Sequence, residues 1–279
     1  MVITYKSAEM KAKIVSHRNN GETIGFVPTM GALHQGHISL IQKSLRENEI
    51  TVCSIFVNPT QFNNTNDLLN YPRTLKEDLI MLREAGCNNV FVPSEREIYP
   101  VPDTRIFDFG ELDKSMEGKY RPGHFNGVAQ VVSKFFEIVL PDRAYFGEKD
   151  FQQLAIIKAM TKMLKFRTDI VPCPIIREKD GLAMSSRNKL LSPEHRKSAS
   201  LISKSLFDAL NNKDLPVAEL KFRVINTIHA DKNLKVEYFE IVDFDSLKLL
   251  NHWADSSKPM ACIAVFAGQV RLIDNVRFF

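Results

Sequence analysis

Residues 23–37 read TIGFVPTMGALHQGH, and this stretch decides the fold of the chain. The apolar run at 23–28 is closed by a proline and predicts a short, buried β-strand. Residues 29–31 then predict a glycine turn, and a helical pattern runs from about His34 to Asn48. A strand that passes through a glycine turn into a helix predicts one βα unit of a parallel sheet.

The same alternation of strands and helices continues to about residue 176. Strand-like runs lie at 50–57, 89–93 and 143–147, and helical patterns lie at 74–85, 127–140 and 151–165. The strands are nearly continuous apolar runs, as expected where helices cover both faces of a parallel sheet with right-handed crossovers. We therefore expect an α/β fold with a Rossmann-like parallel sheet in an N-terminal domain of residues 1–176.

The pattern changes after about residue 176. Helical patterns lie at 193–211 and 216–230, and strand-like runs lie at 236–242, 261–267 and 270–273. The last two runs are joined by Gly268-Gln269, which suits a tight hairpin. Residues 177–279 are therefore expected to form a smaller α+β domain. The irregular segment 93–126 is interpreted as a surface excursion or lid.

Composition narrows the class of protein. The length of 279 residues suggests about two domains, and the 44% hydrophobic and 25% charged residues are ordinary for a soluble globular protein. A net charge of +4 suits anionic substrates but falls short of the basic stripe of a nucleic-acid binder. The four cysteines are scattered singly, which supports neither a zinc site nor a disulfide framework. The chain shows no apolar signal core or membrane-length apolar stretch, so we expect a cytoplasmic protein with no membrane partner.

Two histidines, His34 and His37, lie three residues apart where the first helix begins. Residues at this spacing share a helix face, and the free N–H groups of a helix N-terminus bind phosphate well. Two imidazoles there can donate hydrogen bonds to a pyrophosphate leaving group as charge builds on it. The alternative is structural, with one histidine capping the helix and the other packed under a loop. The strand–glycine–helix context favours the functional interpretation.

Two further segments suit a phosphate ligand. Met184-Ser185-Ser186-Arg187 offers two hydroxyls and a guanidinium in a short loop, although alone it reads as any polar loop. Phe146-Gly147-Glu148-Lys149-Asp150 ends a predicted strand, at the edge of the sheet where the histidine turn also lies. Lys149 is a candidate charge for nucleotide phosphates. Asp150 is a candidate for adenosine hydroxyls or for a helix cap.

These three segments in this order resemble the HxGH-type nucleotidyltransferase superfamily. The resemblance extends to the pantothenate synthetase family, covers residues 20–190 densely and is looser beyond. It is carried by six segments in order, at 27–40, 56–62, 71–74, 121–128, 146–153 and 184–188. It implies an ATP-dependent condensation of pantoate with β-alanine through a pantoyl-adenylate, with release of pyrophosphate and AMP. It also implies Mg²⁺ as cofactor and a homodimer formed through the N-terminal domain.

The resemblance also assigns residues. The catalytic group would be His37, His34, Lys149 and Arg187. ATP would be held by Met30, Gly31, Ala32, Leu33, His34, Gln35, Gly36 and His37, by Gly147, Glu148, Lys149 and Asp150, by the backbone of Ile176, and by Met184, Ser185, Ser186 and Arg187. Pantoate would be held by Asn58, Gln61 and Gln153, and β-alanine by Gln61. The two glutamines are neutral amides, which suits the orientation of a hydroxylated acid. No metal ligand is assigned.

The sequence departs from the family pattern in places. Position 186 is serine where the superfamily clamp usually has lysine, so Arg187 and Lys149 would supply the positive charge. The stretch 63–67 is looser than the family pattern. Glu77 and Asp78 lie where the family has an acidic helix face that helps bind magnesium, and we interpret them instead as a solvated face. The alternatives for His124 are a contact with phosphate and a brace for its loop, and we interpret it as the brace. Segment 115–127 is interpreted as a candidate gate.

Three rival functions stay open at this point. Another HxGH-type nucleotidyltransferase, acting on a different cofactor precursor, would lack a second acceptor step, and the pairing of Gln61 with Gln153 argues against it. An RNA-binding module related to class I aminoacyl-tRNA synthetases is disfavoured by the modest charge. An inactive interaction protein is disfavoured because all candidate catalytic residues are present.

Overall fold

A computed structural model describes residues 1–279, and the chain forms two compact units. Unit 1 comprises residues 1–109, 121–148 and 153–174, and unit 2 comprises residues 110–120, 149–152 and 175–279. The chain enters unit 2 for the last time between residues 174 and 175, close to the boundary predicted at 176. The two short segments that join unit 2 from earlier in the chain were not predicted, and the domain limits 1–176 and 177–279 stay a prediction.

Unit 1 contains a six-stranded sheet in which every pairing is parallel, in the order β1-β4-β3-β2-β5-β6. This confirms the predicted α/β class. The strands are β1 (Val2–Thr4), β2 (Ile24–Thr29), β3 (Ile50–Ile55), β4 (Asn89–Phe91), β5 (Arg143–Gly147) and β6 (Asp169–Cys173). Strand β3 is buried at every position, as expected for a strand covered on both faces.

Seven helices belong to unit 1. They are α1 (Ser7–Asn19), α2 (Gln35–Glu47), α3 (Thr65–Asn70), α4 (Leu75–Glu84), α5 (Glu95–Ile98), α7 (His124–Val139) and α8 (Phe151–Met163), the last starting with two residues of unit 2. Helix α7 is buried at thirteen of its sixteen residues, and its Phe135 and Phe136 meet the ring of Phe26 edge to face. Apolar burial on this scale makes α7 a central support of the sheet.

Sequence patterns missed β1, α1 and β6 for different reasons. Strand β1 has only three residues, and α1 buries only Met10 and Ile14 among many charged positions. Strand β6 carries Pro172, which cannot donate to a ladder and is tolerated because β6 lies at an edge of the sheet.

Unit 2 is built on a three-stranded antiparallel sheet in the order β7-β8-β9, as the α+β prediction required. Its elements are α6 (Met116–Tyr120), α9 (Pro193–Leu210), α10 (Val217–His229), β7 (Leu234–Asp243), β8 (Pro259–Ala267) and β9 (Val270–Arg277). The predicted hairpin is confirmed, because Ala267 pairs with Val270 and Gly268 has a φ of +61°. Ser192 caps α9, its hydroxyl accepting the N–H of His195.

Helix α6 is fixed within unit 2 by a buried ion-pair network. Glu117 is buried, and its carboxylate accepts hydrogen bonds from Arg271 at 2.7 and 2.9 Å and from the hydroxyl of Tyr238 at 2.9 Å. Gln152 donates to the carbonyls of Leu112 and Ser115. This part of segment 93–126 is thus anchored within unit 2, and its interpretation as a surface excursion or lid stays a prediction. The gate assigned to 115–127 stays a prediction.

The end of β7 predicts a measurable pH dependence of stability. Hydrogen bonds from Ser256 and Ser246 lower the pKa of Asp243 from 3.8 to about 2. A carboxyl with a lowered pKa in the folded state contributes stability above its unfolded pKa and loses it as pH falls through the folded value. Asp243→Asn is expected to lower the free energy of unfolding by about 1 kcal/mol at pH 7, a figure reduced for solvent screening. The deficit is expected to shrink between pH 4 and pH 2.

Urea unfolding across that range measures this deficit. Asp245→Asn is the matched control, since the Asp245 carboxylate is 65% exposed and pairs only with Lys258 at the surface. A deficit for Asp243→Asn that does not depend on pH would contradict the assignment.

Candidate active site

The histidine turn lies between β2 and α2. Gly31 has a φ of +79° and Ala32 a φ of +49°, so the chain reverses through two left-handed residues before the helix. His34 is the N-cap of α2, and its Nδ1 accepts the N–H of Gly36 at 3.1 Å. The Nδ1 of His37 accepts the N–H of His34 at 3.3 Å, which completes a capping box. Both histidines therefore cap the helix, where the structural alternative assigned that role to one.

The capping bonds settle the tautomer of both histidines. A ring nitrogen that accepts a backbone N–H carries no proton, so each neutral imidazole holds its proton on Nε2. The ring centroids of His34 and His37 lie 4.1 Å apart. The structural and the functional interpretation of the two histidines are thus compatible, because capping uses Nδ1 and makes Nε2 a donor in both side chains. Such a pair can donate to a bound anion without a change of protonation.

Asp78 supports the same turn from α4. Its Oδ2 accepts the N–H of Ala32 at 2.9 Å, and its Oδ1 accepts the N–H of Leu33 at 2.8 Å and the hydroxyl of Thr74 at 3.1 Å. Asp78 is 1% exposed, so its interpretation as part of a solvated helix face is wrong. Glu77 is exposed, as that interpretation expected. Asp78 lies four residues before the buried Leu82, which places both on one helix face and was the available signal.

The turn that follows β3 holds Asn58 and Gln61, both buried. The side-chain amide of Asn58 donates to Gln61 Oε1 at 3.0 Å and to the carbonyl of Gly127 at 3.1 Å. His124 Nδ1 lies 2.8 Å from the carbonyl of Gln61. The first turn of α7 is therefore bonded to this turn at two points. Buried His124 contacts the 58–61 turn, and its role as a brace for its own loop stays a prediction. Tyr99, which donates to Asn58, was not singled out from the sequence.

The segment after β5 divides between the two units. Gly147 and Glu148 belong to unit 1, where Gln153 is half-buried in the first turn of α8. Lys149 and Asp150 belong to unit 2, and their side chains form an ion pair at 3.1 Å. The turns after β2, β3 and β5 all leave carboxyl ends of adjacent parallel strands. The strand order reverses between β2 and β5, which is the topological switch point where open α/β sheets bind ligands.

In unit 2, residues 176–187 form a hairpin followed by a helical turn. The N–H of Met184 donates to the carbonyl of Ile176 at 2.9 Å, and Ser185 caps the turn Ser186–Leu190 by accepting the N–H of Arg187. Ser186 is buried and Arg187 is half-buried. The predicted hydroxyl–guanidinium loop is therefore an ordered turn.

A chain of polar contacts inside unit 2 was missed from the sequence. Arg177 pairs with buried Asp274 at 2.7 and 2.9 Å, and Asn275 donates from its side chain to the carbonyl of Lys149 at 3.0 Å. Burial raises the pKa of Asp274, while the guanidinium of Arg177 opposes that shift. The contacts tie the Ile176 hairpin and the Lys149 backbone to the same strand, β9. Residues 97 and 126 positions apart in the chain leave no local pattern by which to find them.

No group of three or more His, Cys, Asp or Glu side chains that could hold a metal ion is found in residues 1–279. No helix of the chain is both long and apolar enough to cross a membrane.

Comparison with known proteins gives a consistent result. The sequence model of the family described as pantoate-beta-alanine ligase matches residues 2–277. Pantothenate synthetase of Bacteroides thetaiotaomicron is 50% identical over 279 residues, covering 100% of this chain and 99% of the relative. Pantothenate synthetase of Phocaeicola vulgatus is 54% identical over 272 residues, covering 97% and 96%.

Solved structures agree with these relatives. Pantothenate synthetase of Thermus thermophilus is 40% identical with a TM-score of 0.93, and each chain is covered fully. Pantoate-beta-alanine ligase of Francisella tularensis, solved with beta-gamma ATP and beta-alanine, is 38% identical with a TM-score of 0.85, covering 99% of this chain and 97% of that one. This chain belongs to the pantoate-beta-alanine ligase family.

Proposed function

We propose that the chain condenses pantoate with β-alanine at the expense of ATP, through a pantoyl-adenylate, releasing pyrophosphate and AMP. The observation that carries the proposal is the pair of N-capping histidines at the switch point of the sheet. Their Nδ1 atoms accept backbone N–H groups, so both Nε2 atoms are donors beside a helix N-terminus. This arrangement suits a leaving pyrophosphate, because it places hydrogen-bond donors where negative charge develops.

In the first step, a carboxylate oxygen of pantoate attacks the α-phosphorus of ATP, and the bond to the β-phosphate oxygen breaks. Pantoate is already ionised at neutral pH, so no general base is needed. We assign to His34 and His37, within the ATP-binding stretch Met30–His37, stabilisation of the negative charge that develops on pyrophosphate. We assign Lys149 and Arg187 of unit 2 the same electrostatic role, with Gly147, Glu148, Asp150, Ile176, Met184, Ser185 and Ser186 as further ATP contacts.

In the second step, the amine of β-alanine attacks the acyl carbon of the adenylate, and AMP leaves. We assign Gln61 and Gln153 to orient pantoate, with Asn58 in the same group, and Gln61 also to β-alanine. Neutral amides orient a substrate without trapping it by charge. The buried position of Gln61 also favours exclusion of water, which would otherwise hydrolyse the mixed anhydride.

The proposal includes Mg²⁺ and a homodimer, both supported by family resemblance, and a cytoplasmic location, which was expected from the sequence. Mg²⁺ keeps several waters and binds through substrate phosphates and one or two carboxylates, so it does not require a dedicated protein cage. A nucleotide-borne ion would supply charge neutralisation at the phosphates. Its protein ligands are left unassigned.

Release of pyrophosphate and AMP from ATP and Mg²⁺ tests the proposal directly. With pantoate alone we expect pyrophosphate up to about one equivalent per enzyme. Addition of β-alanine is expected to start steady turnover to AMP and pantothenate. A protein that binds ATP but releases no pyrophosphate in response to pantoate would contradict the proposal. That outcome would favour the alternative nucleotidyltransferase, which has no acceptor amine and which the comparisons do not favour.

A further inference from the structure

The backbone carbonyl of Gly127 fixes the orientation of a buried amide. A carbonyl oxygen only accepts hydrogen bonds, so the atom of Asn58 that lies 3.1 Å from it is the nitrogen of the side-chain amide. A Cβ on Gly127 would overlap the carbonyl of Thr60, so only glycine lets α7 come this close to the 58–61 turn. The orientation of Asn58 thus follows from the backbone.

The orientation of Gln61 follows in turn from that of Asn58. The second N–H of the Asn58 amide donates to Gln61 at 3.0 Å, so the acceptor there is Oε1 of Gln61. Its Nε2 then points the other way and lies 3.1 Å from the sulfur of Met30, in the histidine turn. Sulfur is a weak acceptor, so this Nε2 group keeps most of its capacity to donate to a better one.

The oxygen of Asn58 is also occupied. Oδ1 accepts the hydroxyl of Tyr99 at 2.9 Å and the hydroxyl of Thr60 at 3.1 Å. An asparagine side chain offers two donors and two acceptor positions, and the protein fills all four. Burial raises the pKa of Tyr99 to about 12, so its hydroxyl remains a donor at every ordinary pH. Asn58 is 1% exposed, which leaves little of it for a substrate to reach.

We propose that Asn58 is a positioning residue that Gly127 and Tyr99 hold in place so that Gln61 presents its Nε2 donor to an oxygen acceptor of the substrate. The inference deepens the proposed function and rests on it. It reassigns Asn58 from contact with pantoate to orientation of Gln61, and it gives Tyr99 a role at the site. The matching substrate atom is a hydroxyl or carboxylate oxygen, which an acidic hydroxy acid supplies.

We call the hydrogen-bonded series from Tyr99 through Asn58 to Gln61 the relay. Tyr99→Phe tests the relay by removing one hydroxyl. Loss of one hydrogen bond is expected to lower kcat/KM for pantoate about five- to tenfold and to leave the KM for ATP within twofold of wild type. The decisive measurement repeats the substitution in a Gln61→Ala background. Because the relay acts through Gln61, its loss is expected to change kcat/KM there by less than about twofold.

Tyr145→Phe is the matched control. It deletes another buried tyrosine hydroxyl of unit 1, bonded to Glu47 and Asn48, and is expected to leave kcat/KM for pantoate within twofold of wild type. An equal loss from Tyr99→Phe in both backgrounds would overturn the relay, as would a loss no larger than that of the control.

A second readout does not depend on activity. The side-chain amide protons of Gln61, identified by their disappearance in Gln61→Glu, are expected to shift in the NMR spectrum of Tyr99→Phe and to stay in place in Tyr145→Phe. Unmoved resonances in Tyr99→Phe would overturn the relay. If the wild-type protein shows no pantoate-dependent pyrophosphate release but the resonances shift, the proposed function fails while the positioning of Gln61 stands.

Discussion

His37→Asn is expected to lower the turnover of the pantoate-dependent reaction by about two to three orders of magnitude while leaving the fold intact. The Oδ1 of asparagine lies where Nδ1 of the imidazole lies, so it can still accept the N–H of His34. It offers no donor at the position of Nε2. The substitution therefore separates capping from the proposed contact with pyrophosphate, and steady-state pyrophosphate release measures its effect.

Two companion variants sharpen this result. His37→Gln extends an amide nitrogen towards the position of Nε2, and we expect it to recover part of the lost turnover. His37→Ala removes the cap as well, so it is expected to lose about 1 kcal/mol of stability in addition to the turnover. A loss below about tenfold in His37→Asn would remove His37 from the catalytic role.

Much of the parallel sheet was predictable because its strands are local apolar runs. Strand β5 was predicted at its observed limits, and β2 and β3 lie within two residues of theirs. Burial on both faces gives such strands an unbroken apolar sequence, which needs no knowledge of partners. Strands such as β1 and β6, at the two edges of the sheet, depend on a neighbour and carry a weaker pattern.

At the candidate site, too, local features were predictable and contacts between distant residues were not. His34 and His37 were found because a glycine turn and a helix start lie within a few residues of them. Their function as reciprocal caps was missed, since it depends on side-chain geometry rather than spacing. The roles of Asn58 and Tyr99 depend on contacts between residues 41 positions apart. No periodicity reports such a contact, so the sequence names the residue types at the site but not which of them hold the others.

Asp78 gives the second large effect. We expect Asp78→Ala to lower the free energy of unfolding by about 2–5 kcal/mol, because it leaves two buried backbone N–H groups, of Ala32 and Leu33, without their acceptor. The turn before α2 holds two left-handed residues, one of them not glycine, and the carboxylate stabilises that conformation. Turnover is expected to fall about a hundredfold, since a misplacement of about 1 Å is enough for such a loss.

Glu77→Gln is the matched control, because Glu77 is the exposed acidic neighbour on the same helix. Its change in stability is expected to stay within about 0.5 kcal/mol. Urea unfolding and steady-state turnover measure both variants. If Asp78→Ala unfolds like Glu77→Gln, the carboxylate does not hold the turn.

Asp78→Asn distinguishes the charge of this side chain from its geometry. Its single oxygen can accept only one of the two consecutive N–H groups, and its own NH₂ group then faces the other. We therefore expect Asn to be no better than Ala for turnover, although it nearly preserves the shape of Asp. Wild-type turnover and stability in Asp78→Asn would mean that one acceptor is enough to hold the turn. In that case the orientation of the His34 and His37 side chains would depend on their own capping bonds rather than on α4.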